Sequence, residues 1–320
     1  MLLKKADQGI PGDVGPGRYF VRFGQRERLF YSGLDLLKNR SVVSILSQWL
    51  RTRRWHQKVA SYLSQGSQPW SRGYAEHKED EIVKSLAHGR FSAESLPLGF
   101  GFRLDERIIE YPWLFSRLPK AAGTLLDAGS ALNHPFTLSQ SSLQSKKIHI
   151  CTLAPETECH WQQGISYLFD DLRNLPYRDG LFDWVVCLST LEHVGMDNTR
   201  LYTQNPDRRE SARHDYLQAV VELHRVLKPG GTLYASIPYG RSADHEWLQV
   251  FDSSAVDMLV KTFSPERNQE FIFRYHPDGW HTSSRADAVE ATYFDVHTSA
   301  GAAPDYAAAA RAVCCLELQK

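Results

Sequence analysis

The chain has 320 residues, 37 Lys and Arg against 37 Asp and Glu, and 42% hydrophobic residues. A chain of this length buries roughly three quarters of its unfolded surface, so it needs no staple to hold a core. The neutral balance argues against a dedicated nucleic-acid binder, which a strongly basic domain would announce, and the five cysteines contain no Cys-x-x-Cys pair that would suggest zinc or a disulfide framework. The opening residues lack the apolar stretch of a secretion signal, and no run of about 18 apolar residues occurs. The expectation is a soluble, cytoplasmic protein.

Residues 1 to about 17, rich in Gly and Pro, read as a loose lead-in. From Arg18 to Lys58 ten basic residues stand against two acidic ones. Within that stretch SVVSILSQWLRTRRWHQKVASYLSQG reads as one long helix, capped by Ser41 and ended by Gly66, with an apolar stripe at Val42, Leu46, Trp49, Leu50, Val59 and Leu63. Such a basic amphipathic helix can make a peripheral contact with an anionic membrane. The alternative is a stripe packed on the main domain with the arginines in water. A polar connector with scattered aromatics follows, from about Gln68 to Phe102.

Beyond it the rhythm changes. TLLDAG, KIHICTL, ISYLF, FDWVVCL, GGTLYASIP and AVCCLEL read as strands. ARHDYLQAVVELHRVLKPGG reads as a helix with Tyr216, Val220, Leu223 and Leu227 at helical spacing, and AAPDYAAAARAV as a short helix before the last strand. Strand–helix alternation specifies a doubly wound, mostly parallel α/β sheet. Its ligands bind at the carboxyl ends of the strands, where strand order reverses.

The first strand runs into LLDAGSALNHP, where Asp127 can accept from a charged amine, Gly129 permits close backbone approach, and Asn133 and Pro135 start a helix. Only one glycine of the dinucleotide fingerprint G-x-G-x-x-G survives, which disfavours a pyrophosphate loop and, with it, a nicotinamide-dependent sugar oxidoreductase. Asp170 and Asp171 are adjacent and point to opposite sides of a strand end, so they do not form a paired-carboxylate hydrolase site. No serine sits in G-x-S-x-G.

LLDAG, then Asp171-x-x-x-Leu175-Pro176, Phe182-Asp183, Leu191-Glu192-His193-Val194 and Leu227-Lys228-Pro229-Gly230-Gly231, in that order and spacing, resemble the class I S-adenosylmethionine-dependent methyltransferase family over roughly residues 105–320. More narrowly, LDAGSALNH with STLEHVGMDNT resembles a branch associated with bacterial surface-polysaccharide and glycan biosynthesis. The resemblance implies a Rossmann-like, seven-stranded sheet with an antiparallel last strand. It divides the chain into a basic, mainly helical extension (1–104) and a methyltransferase domain (105–320). S-adenosylmethionine is the implied cofactor, with Ala128, Gly129 and Ser130 around its methionine part and Asp127 near its amino group. Asp171 and Leu172 would meet the adenine, and Leu188 to His193 would line the cofactor and face the acceptor. Asp183 matches a position better explained as structure.

The chain departs from the family at the end of the second strand. Where an acidic residue usually holds both ribose hydroxyls, Thr152 stands, and a hydroxyl cannot act as a two-point carboxylate acceptor. Ser189 likewise stands where some relatives place the first Glu of a metal-binding Glu-x-x-Glu-His run, so no metal is expected.

An activated methyl donor requires no protein nucleophile, only alignment, and for a hydroxyl acceptor a base, for which His193 is the candidate. Asp197, Asn198, Tyr239 and Arg241 are candidate contacts for a hydroxylated small molecule or glycan. Trp280, His281 and Arg285 read as either a lid or loop anchors. The competing function is a catalytically inactive methyltransferase-fold protein that binds a partner enzyme through its basic N-terminal region.

Overall fold

A computed structural model describes residues 42–88, 91–203, 205–299 and 301–320. The expected lead-in, the first part of the basic stretch and the Ser41 cap lie outside them.

Three helices come first: α1 (Val42–Ser64), α2 (Tyr74–His88) and α3 (Arg107–Arg117). Then follow β1 (Gly123–Ala128), the single turn α4 (Pro135–Leu138), β2 (Lys146–Thr152), β3 (Ser166–Phe169), β4 (Phe182–Leu188), α5 (Thr199–Tyr202) and α6 (Tyr216–Val226). The second half runs through β5 (Leu227–Pro238), a two-residue hairpin β6 (Ala243–Asp244) and β7 (Gln249–Val250), α7 (Ser253–Phe263), β8 (Arg267–His276), β9 (Gly279–Ser283), α8 (Arg285–Ala288) and β10 (Ala312–Gln319).

The main sheet has eight strands in the order β3-β2-β1-β4-β5-β10-β8-β9. The strands β1 to β5 are mutually parallel, and β10 is antiparallel to both its neighbours. This is the mostly parallel, doubly wound sheet that the alternation requires, with the antiparallel last strand that the resemblance implies. One strand exceeds the expected seven. Pro277 and Asp278 form a two-residue turn between His276 and Gly279, and the segment beginning at Gly279 folds back as the edge strand β9. Trp280 on β9 is buried and donates through Nε1 to the Leu104 carbonyl at 2.9 Å, while Arg285 pairs with Glu270 and Asp257. Both are anchors, and His281 pairs only with the turn residue Asp278.

The inner parallel strands are buried on both faces, so their side chains divide between two cores, while the edge strand β3 is partly exposed. On β4, Val186 and Leu188 join Leu125, Tyr234, Val313 and the α2–α3 side chains Ile82, Ile108 and Trp113. Val185 and Cys187 join Leu126, Leu233, Cys314 and the α6–α7 residues Val220, Leu223, Val256 and Leu259. Tyr62 and Tyr74 lie in the first of these cores, so the helices before residue 105 close one face of the sheet.

α1 forms over the expected span, but its buried face differs from the expected stripe. Trp55 donates to Asp80, Lys58 pairs with Glu76, and Tyr62 is fully buried, whereas Trp49, Leu50 and Leu63 are exposed. The stretch 302–313, expected to be a short helix, is not helical: it turns at Pro304 and Asp305 and runs into β10. Ala307 to Ala310 are buried, and Ala309 to Arg311 pair with the chain at 292–294. Tertiary packing overrides alanine's helix propensity here, because only a small side chain fits that interior path. Among the described residues no helix is long and apolar enough to cross a membrane.

Candidate active site

The parallel strands β1, β2 and β4 end at one level, with β1 and β4 flanking the point where strand order reverses. The loops that leave them border two adjoining cavities, one of about 380 Å³ and one of about 60 Å³. Gly129, Thr152, Thr190, His193 and Tyr202 line both.

Two residues other than glycine are forced into the left-handed region at this rim: Ser130 after β1 (φ +64°) and Ser189 after β4 (φ +40°). Such strain concentrates at functional loops. Gly129 has a structural reason beside the expected one. Its φ is +115°, and a Cβ there would collide with the Thr190 side chain, so its freedom serves loop-to-loop packing.

Asp127 is wholly buried and accepts from the backbone N–H groups of Ala131 (3.1 Å) and Leu132 (2.7 Å), tying down its own loop. Burial raises its pKa to about 7 against those two bonds, and Asp127 does not line either cavity. Asn133 holds the same loop to its neighbours, donating to the Glu158 carbonyl and accepting from the Tyr167 hydroxyl. Ala128 and Leu188 are buried strand ends behind the cavities.

Asp171 and Leu172 line the smaller cavity together with Arg173. Burial works to raise the Asp171 carboxyl, but Arg173 holds it below the usual carboxylate range by binding both oxygens through its guanidinium and one through its backbone N–H. The same guanidinium reaches Glu210 and Asp215, each at 2.7 Å. Asp183 fixes the far end of the sheet instead, accepting from Thr124 and from Lys228.

His193 closes a single 3₁₀ turn, Leu191–His193, after β4. Its Nδ1 lies 2.9 Å from the Trp247 carbonyl, which can only accept, so Nδ1 carries the proton and Nε2 the lone pair. The ring lies at a 32° tilt to the Trp247 indole, 5.1 Å between centroids. Burial lowers its pKa to about 4, against the pull of that carbonyl, so the imidazole is neutral across the physiological range. Asn198 braces the turn, donating to the His193 and Met196 carbonyls, while Asp197 is engaged with Thr199.

The remaining candidates fall elsewhere. Tyr239 is buried in the second core, its hydroxyl 2.7 Å from Ser253 and 3.2 Å from the Arg285 carbonyl. Arg241 is exposed and pairs with Glu290. Neither these two nor Asp197 lines a cavity. The loop after β5 turns away through the β6–β7 hairpin, which delivers Trp247 and Leu248 instead.

The larger cavity is walled by residues that sequence reading did not single out: Lys78 on α2, Glu106 and Arg107 at the start of α3, Trp247 and Tyr293. The signal for part of this was present. Glu110 lies in an otherwise apolar run of α3 and is fully buried, taking Arg107 at 2.8 Å and the hydroxyls of Ser189 (2.5 Å) and Ser236 (2.6 Å). A charge in such a run demands a partner.

Three buried polar atoms of the two cavity walls have no hydrogen-bond partner among the described residues: Ser130 Oγ, Asn198 Oδ1 and Glu192 Oε2. Orphaned polar groups of this kind mark a place for a polar ligand. Ser130 Oγ and Asn198 Oδ1 fit a nucleoside-bearing cofactor running along the loops after β1, β2 and β4, with Thr152 and Asp171 as the two departures from an open set of acceptors.

Residues 143–235, from just before β2 into β5, match a family model described as a methyltransferase domain. No curated protein matches the chain. Among solved structures it is similar to 1,6-didemethyltoxoflavin-N1-methyltransferase of Burkholderia thailandensis, crystallised with 1,6-didemethyltoxoflavin and S-adenosylhomocysteine. The two are 16% identical over 77% of this chain and 88% of that one, with a TM-score of 0.40. The [4+2]-cyclase SpnF is 17% identical over 59% of this chain and 71% of its own, with a TM-score of 0.38. Phosphoethanolamine N-methyltransferase 2 of Haemonchus contortus, in complex with S-adenosyl-L-methionine, is 12% identical over 59% and 45%, with a TM-score of 0.38.

Proposed function

We propose that the chain transfers a methyl group from S-adenosylmethionine to a protic atom of a small-molecule acceptor. The observation that carries the reading is the methyltransferase-domain match over residues 143–235, because that stretch contains the loops after β2, β3 and β4 that border both cavities. Bound there, S-adenosylmethionine supplies a methyl group already activated on a sulfonium. Gly129, Ser130 and Thr152 would hold it on the β1–β2 side, Asp171 and Leu172 on the β3 side, with Asn198 Oδ1 available from the opposite wall.

The protein's own part is alignment and proton removal. A neutral His193, fixed by the Trp247 carbonyl with its Nε2 lone pair free, accepts the proton from the acceptor atom. A hydroxyl is the acceptor expected for such a base. A glycan, as in polysaccharide biosynthesis, is supported only by the short LDAGSALNH and STLEHVGMDNT likeness. The exposed Trp49 and Leu50 beside Arg51, Arg53 and Arg54 on α1 support a peripheral contact with anionic membranes, which vesicle flotation tests.

A second reading, a non-catalytic binding protein of the same fold, draws on two observations. The Asp171 carboxylate is saturated by Arg173, and Thr152 replaces the two-point acceptor. Calorimetric titration with S-adenosylmethionine and with NAD separates the readings. Methyl transfer requires binding of the first alone, and binding of neither would leave the second.

A further inference from the structure

The charges around the larger cavity do not balance. Two cations stand in its wall, and both are taken: Lys78 pairs with Asp105, each nearly fully buried, and Arg107 pairs with Glu110. The other oxygen of Glu110 receives the Ser189 and Ser236 hydroxyls. His193 is neutral and cannot serve as a counter-ion.

Of the wall's other carboxyls, Glu79, Glu156 and Glu158 are only partly buried, and Glu106 and Glu192 are the buried ones. Glu106 receives a single long bond from the Ala310 N–H at 3.3 Å. Glu192 is 3% exposed. Its Oε1 lies 4.0 Å from His193 Nε2, and its Oε2 has no partner among the described residues. Burial raises both acids, Glu106 to about 8 with help from Asp105 and Glu110, and Glu192 well above its ordinary value with help from Glu110 and Glu106. A buried carboxyl regains its anionic form most readily when a cation arrives to replace the lost water.

We propose that the acceptor carries a protonated amine, held by Glu106 and Glu192. The assignment rests on the methyl-transfer reading and names its substrate class. A neutral hydroxyl satisfies the orphaned Oε2 but leaves both buried acids protonated and without a counter-ion, and an anionic acceptor meets two acids with no free cation among the wall's described residues. The amine is the recognition handle. The amine stays protonated, and the methylated atom is a neighbouring hydroxyl, whose proton passes to His193 as the methyl group is transferred. The cofactor's own ammonium is the competing occupant. Ser130, an expected cofactor contact, lines the larger cavity together with Glu192, so the cofactor-affinity readout decides between the two occupants.

To test this, a small-molecule extract of the source cells is divided on a cation exchanger at pH 6. The retained and unretained pools are each incubated with the protein and methyl-labelled S-adenosylmethionine. The expected result is label transferred to the retained pool, with KM for that pool raised at least tenfold by Glu192→Gln while S-adenosylhomocysteine affinity stays within threefold. Should that variant fail to fold, Glu106→Gln is read by the same KM criterion. Label transferred only from the unretained pool overturns the cationic acceptor and leaves methyl transfer standing. A tenfold loss of S-adenosylhomocysteine affinity in Glu192→Gln gives that carboxyl to the cofactor and also overturns the proposal. Label from neither pool overturns the reading beneath it, and the proposal with it.

Discussion

The two sides of the cleft are built in opposite ways. On the β1–β3 side, short polar side chains close on their own loops: Asp127 on the two backbone N–H groups that follow it, Asp171 on the arginine two residues ahead. In the larger cavity, charged groups come from segments far apart in the chain: Lys78 and His193 find their partners on another element or loop, and Glu110, paired with Arg107 on its own helix, also takes hydroxyls from the β4 loop and β5. The first arrangement is local and rigid whatever the rest of the protein does. The second depends on α2, α3, the β4 loop and the β6–β7 hairpin all arriving at once.

Breaking the second arrangement has the largest expected effect. Glu110→Ala leaves Arg107 buried without its partner and removes the acceptor of two hydroxyls, and should cost about 3–5 kcal/mol of stability by denaturant unfolding. A loss below about 1 kcal/mol would show that the cavity wall does not depend on this buried network. Next comes His193→Ala, for which turnover should fall about 10²- to 10⁴-fold, with S-adenosylhomocysteine affinity within threefold of the parent. Unchanged turnover would take the base assignment from His193.

The acid side of the stability curve distinguishes the same groups. His193 has a folded pKa of about 4, below its unfolded value of about 6.5, so between those pH values the unfolded chain binds a proton that the native state refuses. Its contribution is complete above pH 6.5 and is lost as pH falls toward 4, amounting to about 3 kcal/mol at the limit. Glu106 acts in the reverse sense. Its folded pKa of about 8 lies above the unfolded value, so the native state keeps a proton there, and stability falls as pH rises from about 4.5 to 8. Unfolding midpoints of His193→Gln and Glu106→Gln across pH 4 to 9 should flatten opposite limbs of the profile. Flattening of the same limb by both would contradict these environments.

On the other side of the cleft the effects are smaller. Arg173→Ala releases Asp171, Glu210 and Asp215 together and should cost about 1–2 kcal/mol, since the guanidinium is only partly shielded from water. It also frees the Asp171 carboxylate. Tighter S-adenosylhomocysteine binding in this variant would show that the arginine competes with the cofactor, and weaker binding that it positions the loop. Arg241→Ala, on an exposed ion pair, should change stability by less than about 0.5 kcal/mol and leave turnover unchanged.

How much could be read beforehand follows the same division. The six strands named from their apolar runs formed, and so did the helix over residues 42–64, because burial on both faces of a parallel sheet and a basic helical period each leave a local mark. The edge strand β9 and the non-helical alanine run at 307–310 were not legible, since their conformations are imposed by the neighbours they pair with. At the site, the rule that strand ends carry the ligand pointed to Gly129, Thr152 and His193, which line one cleft. It could not show that the β5 loop presents Trp247 rather than Tyr239 or Arg241, because the hairpin that redirects the chain is set by tertiary contacts. Nor could it bring Lys78 and Glu106, which precede the first strand, to the strand ends. A buried charge on α3 was the one available clue.

A structure determined with S-adenosylhomocysteine tests the central claim most directly. Ligand density should follow the loops after β1, β2 and β3, past Gly129, Thr152 and Asp171, leaving the cavity beside Glu106, Glu192 and His193 open for the acceptor. Density filling that cavity instead, or none at saturating ligand, would contradict the account.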